Sequence, residues 1–302
     1  MTAGRRIADG VFISLSGLAV LVIVTMLFIV LGNVGYHGWE RLSWEFVSAA
    51  PKQGMTEGGV FPAIFGTVLL VLLMTIFVVP LGVCVAIYFS EYADRSAWLY
   101  RATRSAVDNL AGVPSIVFGL FGLGFFVQFV GGGIDRIFYG GALTYRQPAI
   151  IWASLTMAVL TLPVVIVSVE EALRAVPQSY RDASLALGAT KSQTIFRVVM
   201  PNAMSGVLTG GILAVSRGAG EVAPILFVGA AYFLPYLPTK LNDQFMELGY
   251  HVFVLSTQSP DVEATKPLLY ATVFVLLALT FLLNLLAVLI RLRLRVSTGG
   301  SR

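Results

Sequence analysis

Six stretches of the chain stay apolar for about twenty residues or more, without the polar stripe of a helix lying on a soluble core. They run from Val11 to Leu31, Phe61 to Phe89, Leu110 to Val130, Ala149 to Val169, Val207 to Phe233 and Leu268 to Ile290. Each is long enough to carry a helix across the roughly 30 Å of a bilayer's hydrocarbon. The longest polar interruption on one side, Glu170 to Pro201, has an amphipathic pattern. In "SYRDASLALG", Tyr180, Ala183, Leu185 and Leu187 alternate with polar residues; Ser179 is placed to cap the start and Gly188 to stop it. A second piece, Lys191 to Met200, ends at Pro201, so the segment predicts two short helices joined at a glycine. Such a knob either sits in a groove on another protein or lies on the lipid interface.

Composition agrees with the pattern: 57% hydrophobic and 12% charged residues over 302 do not arrange as a soluble globule. The first apolar run exceeds a secretory h-region and lacks a small-residue cleavage site, so it is expected to be a retained helix. Of the 20 Lys and Arg residues, thirteen lie on the side holding both termini and Glu170 to Pro201, and six on the other. By the positive-inside rule both termini are cytoplasmic. The same rule accounts for the net charge of +4, and no nucleic-acid partner is inferred from it.

Catalytic and metal chemistry find no support in the motifs. "GATKS", Gly188 to Ser192, lacks the glycine that a phosphate loop needs before its lysine, since Thr190 stands there. "GLFGLG", Gly119 to Gly124, matches a dinucleotide fingerprint by letter only; inside a span it reads as a small-residue face for close helix packing. His37 and His251 are the only histidines and lie far apart, and the single Cys84 has no disulfide partner. The chain is therefore read as a non-enzyme with no catalytic residue, no metal and no cofactor of its own.

The remaining anomaly is Arg217 with Glu221 inside an otherwise apolar run. A guanidinium in a membrane costs a few kcal/mol on insertion scales and faces a bundle interior or an aqueous path. On a continuous helix the two share a face at i and i+4. One reading is a neutralised pair that helps helices associate. Gly218, Gly220 and Pro224 nearby serve close packing or a locally loosened helix. In the third span, Gly112, Pro114 and Ser115 break or start a helix; Ser115 is either a simple helix start or an anion contact.

The spacing "DASLALGATKSQTIFRVVMP" resembles the EAA loop of ATP-binding-cassette importer permeases. Asp182, Ala183 and Ser184 stand in the Glu-Ala-Ala positions, with Asp keeping the charge and Ser the size; Gly188 matches the glycine, Val198 the isoleucine, Met200 the leucine and Pro201 the proline. "LAGVPSIVFGL" from Leu110 and "SRGAGEVAPILF" from Ser216 are similar to spans of the PstA-type phosphate permeases, with Val222 in a position where many relatives carry threonine. The resemblance implies an all-α membrane protein of six transmembrane helices with the type I importer permease (MetI-like) architecture. It implies units at 1–60 (first helix and outer loop), 61–295 (transmembrane domain with the coupling loop 170–201) and 296–302 (cytoplasmic tail). It further implies a bacterial inner-membrane location, a PstC-like permease partner, two cytoplasmic ATPase subunits that bind ATP and Mg, and a periplasmic or lipid-anchored phosphate-binding protein. Membrane lipid surrounds the whole. On this reading Arg217 offers a planar charged fork to an oxyanion in transit, Glu221 holds the arginine when the path is empty, and Ser115 contributes a hydroxyl. A sulfate or molybdate importer, a passive anion channel and a membrane scaffold are the alternatives.

Overall fold

The computed structural model describes residues 3–52, 57–259 and 262–299. Six helices among them are long and apolar enough to cross a membrane. The first, α1 (Ala3–Gly38), leans on the last and otherwise shows exposed side chains such as Phe12 and Phe28, as expected of a lipid-facing helix. A short α2 (Trp44–Ser48), N-capped by the Ser43 hydroxyl, and a two-residue hairpin of β1 (Pro51–Lys52) with β2 (Glu57–Gly58) lead into the second span.

That span is α3 (Phe61–Ile87), with Pro62 in its first turn, where the missing N–H costs nothing, and π-helical turns from Tyr88 to Tyr92. Amphipathic α4 (Trp98–Leu110) lies outside the spans and ends before Pro114. The third span therefore begins at Ser115, not Leu110: α5 (Ser115–Phe121), π-helical turns through Gly131 and α6 (Gly132–Phe138) form one rod. Proline at 114 disfavours a helical conformation for Val113, and the chain breaks there.

The fourth span, α7 (Ile150–Arg174), is the most buried of the six and forms the centre of the bundle. It packs on α3 and on α10 (Met200–Gly218) through small residues. A side chain at Gly82 of α3 would meet Val165 Cγ1 at 2.6 Å, and one at Gly206 of α10 would collide with Ala172. Leu70, Met74, Met157, Val165, Ala203 and Ala214 are buried along these seams.

Between α7 and α10 stand α8 (Gln178–Ala186) and α9 (Lys191–Thr194). Residues Glu170 to Arg174, assigned to a loop from sequence, complete α7. The second short helix expected from Lys191 to Met200 is not separate: α9 passes through π-helical turns at Ile195–Val199 straight into α10, so the fifth span begins at Lys191. Thr190 caps it, accepting from Gln193 N–H at 3.3 Å while Gln193 Oε1 accepts from Thr190 N–H at 2.9 Å. The stretch that mimics a phosphate loop is a capping box.

The fifth span also ends early. Its helix stops at Gly218, whereas the apolar run predicts helix to Phe233. From Ala219 to Glu247 the chain is largely irregular, with one 3-10 turn at Ile225–Phe227. Its carbonyls cap the start of α7: Ala149 N–H donates to Val228 O at 2.9 Å, Ile150 N–H to Asp243 O at 2.9 Å and Ile151 N–H to Leu241 O at 3.1 Å. These donors have no partner inside their own helix, so each bond satisfies both sides. Non-helical backbone in a membrane protein is stable when protein buries it in this way. Within this segment, backbone N–H groups of Lys240 and Thr239 hold the Asp243 carboxyl below its ordinary pKa. Helix α11 (Leu248–Thr257) then packs on α12 (Val262–Gly299), the sixth span, with Leu255, Leu268 and Ala271 between them.

Candidate functional site

Arg217 stands in the last turn of α10 and Glu221 three residues beyond the helix end, so they do not share a continuous helical face as their spacing suggests. The last helical turn tightens instead, with Ala219 N–H donating to Val215 O at 3.0 Å and Gly220 N–H to Arg217 O at 3.3 Å. This keeps the pair in contact, Arg217 Nε to Glu221 Oε1 at 3.5 Å. A cation at a helix C-terminus is favoured by the dipole there. The side chains remain 37% and 26% exposed, so this chain alone leaves the pair open on one side.

Depth is set by Gly218, where a side chain would meet Met74 Sδ and Cε at 2.6 Å. Met74 is the midpoint of α3, so the charged pair sits about halfway along the bundle. Three contacts hold the turn that carries it. The Ser216 hydroxyl bonds Asn284 of α12; a side chain at Gly249 would meet Val222 at 2.6 Å on α11; and one at Gly119 of α5 would meet Pro224 O at 2.8 Å. Ser115, half-buried, opens α5 one turn before that last contact. The structure thus brings the helix of Ser115 against the segment of Glu221. Gly119 and Gly122 make the close approaches expected of the "GLFGLG" face, whereas Gly124 and Gly220 face open space.

Below Arg217 on α10, Leu213 and Thr209 follow at one and two turns on the same side. With Ser168 and Glu171 of α7 and Val107 and Asp108 of α4 they line a cavity of about 470 Å³. Ala111, Pro163, Val164 and Val167 complete a lining that is mostly apolar, with two hydroxyls and two carboxylates set into it on the α8 side of the arginine.

The second group of sequence-selected residues lies roughly 28 Å of helix away. Asp182 is exposed and accepts from Gln178 Nε2 at 3.0 Å; Ala183 is exposed; Ser184 Oγ lies 2.9 Å from Thr194 Oγ1, joining α8 to α9. Gly188 has φ +85°, and Ala189 N–H donates to Ser184 O at 3.2 Å while Gly188 N–H donates to Leu185 O at 2.9 Å. That is a Schellman stop, which glycine enters without strain. Ser179 lies inside α8, with Pro177 at the cap position, so the expected serine cap is absent: proline's fixed φ starts the helix instead. Val198 and Met200 are half-buried, Met200 against the core, and Pro201 is exposed in the first turn of α10. Leu187, at the tip, is 90% exposed.

Sequence reasoning missed what fixes α8 in place. Arg181 forms a two-pronged pair with Glu91, Nη2 to Oε1 at 2.7 Å and Nε to Oε2 at 3.3 Å. It also donates to Val176 O at 2.7 Å and Leu173 O at 2.8 Å, capping the end of α7. Glu170, buried, bonds Arg104 of α4 and Arg174. The Glu170 and Arg174 spacing of four was legible as a helical pair; the partners of Arg181 and Arg104 lie too far along the chain to be read. A third missed group, the buried Glu247 carboxylate, accepts from Gly249 N–H at 2.8 Å and Tyr250 N–H at 2.6 Å, and Leu248 N–H donates to Thr67 Oγ1 of α3 at 3.0 Å.

Residues 78–296 match the family described as binding-protein-dependent transport system inner membrane component. The chain is 30% identical over 274 residues to a probable ABC transporter permease protein, YqgI, of Bacillus subtilis, covering 86% of this chain and 88% of that one. It is 35% identical over 233 residues to phosphate transport system permease protein PstA 1 of Mycobacterium tuberculosis, covering 75% and 70%. Among solved structures, a bacterial alginate ABC transporter in complex with a periplasmic protein bound to alginate pentasaccharide shares the fold, with a TM-score of 0.67, 14% identity and 93% of both chains covered.

Proposed function

The chain belongs to the binding-protein-dependent transport system inner membrane components, and from that premise we propose that it is one membrane-spanning half of an ATP-driven phosphate importer. The observation that carries the reading is the Arg217 and Glu221 pair, held halfway along the bundle at a helix end and open on one side. An arginine fork offers paired donors to a tetrahedral oxyanion, and it stays charged at any physiological pH. Glu221 competes with the anion for that fork, so the bound state is not a deep trap and cargo can leave. On the α8 side of the arginine the mostly apolar pocket carries the carboxylates of Asp108 and Glu171, which repel an anion from either direction and so keep it from resting there. Ser115 stands at the start of the helix that supports the turn.

The open side is where a second, PstC-like permease completes the path. At the other end, α8 presents Asp182, Ala183 and the bare tip at Leu187 and Gly188 to one of two ATPase subunits, which bind the ATP and Mg. Arg181 fastens α8 to α3 and α7, so movement of the docked subunit is transmitted to the spans. A phosphate-binding protein delivers cargo at the opposite face. Both termini, and α8, lie on the cytoplasmic side by the basic asymmetry. The permease itself performs no chemistry.

Uptake of labelled phosphate by membranes holding the full assembly tests the cargo. Saturable, ATP-dependent phosphate uptake that excess sulfate or molybdate does not suppress is expected; suppression by either competitor would assign the path to another oxyanion.

A further inference from the structure

A second cavity, of about 560 Å³, opens at the α8 end, apart from the wall beneath Arg217. It is enclosed by the end of the second span at Glu91, the loop before α4 at Arg95, the end of α7 at Arg174, α8 at Arg181 and the start of the fifth span at Lys191. Four cations and one carboxylate line it, and that carboxylate is committed to Arg181. The other three cations face the cavity with donors to spare. Arg174 bonds Glu170 through Nη2 alone, leaving Nε and Nη1. Arg95 and Lys191 are exposed, and neither is paired with a carboxylate among the described residues; the Lys191 ammonium lies 4.8 Å from the Tyr92 ring centroid.

Three like charges converging from three elements repel one another unless an anion or water separates them. An ion with several acceptor oxygens answers donors from three directions at once, which a halide does not. Tyr92, whose ring lies under the Lys191 ammonium, is exposed, as are Tyr88 and Trp98 close by in the chain, which matches an interfacial aromatic belt at headgroup level. We propose that this cavity is a binding site for a phosphate-bearing anion, held by Arg95, Arg174 and Lys191. The source is either the headgroup of an acidic phospholipid or free inorganic phosphate on the cytoplasmic side. Bound there, the anion bridges α7 to the start of the fifth span on either side of α8, and so stiffens the mounting of the coupling segment.

The test uses the purified complex of permease and ATPase subunits in nanodiscs, without the phosphate-binding protein, with two arms. In zwitterionic lipid alone, equilibrium binding of labelled inorganic phosphate is measured; in lipid containing phosphatidylglycerol, the acidic lipid retained through detergent exchange is counted by mass spectrometry. In one arm, binding per assembled complex is expected to weaken at least about tenfold in Arg95→Gln with Lys191→Gln, and to persist in Arg217→Gln with Glu221→Gln and in Arg95→Lys with Lys191→Arg. The arm that responds identifies the source. Equal binding by wild type and the double glutamine variant at 95 and 191 in both arms, no binding in either, or binding that Arg217→Gln with Glu221→Gln abolishes would overturn the proposal. If the double variant does not assemble, the single variants Arg95→Gln and Lys191→Gln decide the point, each expected to weaken binding several-fold. Failure here leaves the role of Arg217 untouched, because the two sites share no residue.

Discussion

At the scale of single residues, what distinguishes Arg217 is that its environment neither buries it fully nor neutralises it with good geometry. A 3.5 Å contact through Nε leaves both terminal nitrogens of the guanidinium uncommitted to Glu221. A purely structural ion pair in a membrane would be expected to close the fork and hide both charges. Replacing Arg217 by lysine keeps the charge and removes the planar pair of donors. Phosphate uptake per assembled complex is then expected to fall roughly tenfold while insertion is retained, as measured by labelled uptake normalised to complex in the membrane. Unchanged uptake would mean that charge alone suffices there. The residue was legible in the sequence because it interrupts an apolar run. Its setting was not, since Met74, Asn284 and Gly249 reach the neighbouring Gly218, Ser216 and Val222 from distant parts of the chain.

At the scale of elements, the ends of helices separate what could be read from what could not. The six spans follow from apolar length. The stop of α10 at Gly218 does not, because residues 219–233 are nearly as apolar as a spanning helix, and their backbone bonds go instead to local turns, to Phe245 and, at Val228, to the start of α7. Helix α8 was legible from its Gly188 stop, and its anchoring was not, because Glu91 and Arg181 are 90 positions apart. Two variants probe this element. In Gly188→Leu the surrounding space is open, so any effect comes from forcing φ +85° on a side chain, a cost of about 1–2 kcal/mol. Uptake and co-purification of the ATPase are expected to drop while the protein still inserts; normal values for both would remove α8 from the coupling role. Arg181→Ala leaves Glu91 unpaired in a site where the two side chains are only 12% and 9% exposed, at a cost of about 3–5 kcal/mol. Lower thermal stability and loss of ATPase association are expected together, and a variant that keeps both would show that α8 does not depend on this anchor.

At the scale of the whole molecule, α7 is the central post, α3 and α10 pack on it through glycine seams, and α1 with α12 form an outer pair. Function is divided between mid-depth and one end, with α10 running from the coupling segment to Arg217 as a direct mechanical link. The orientation of that axis rests on the basic asymmetry. In a Cys84→Ala background, single cysteines at Ser48 and Gln258 are expected to react with an impermeant thiol reagent in sealed right-side-out cells, and one at Ser192 is not; labelling at 192 would reverse the assignment. The central claim, that Arg217 handles the anion in transit, is tested most directly by neutralising both charges at once. In Arg217→Gln with Glu221→Gln no charge is left stranded, so assembled complex is expected at near-normal levels, whereas Arg217→Gln alone lowers it. The quantity to measure is labelled phosphate uptake per assembled complex in the double variant. The account predicts that it stays near background; near-normal uptake would show that the pair only holds helices together.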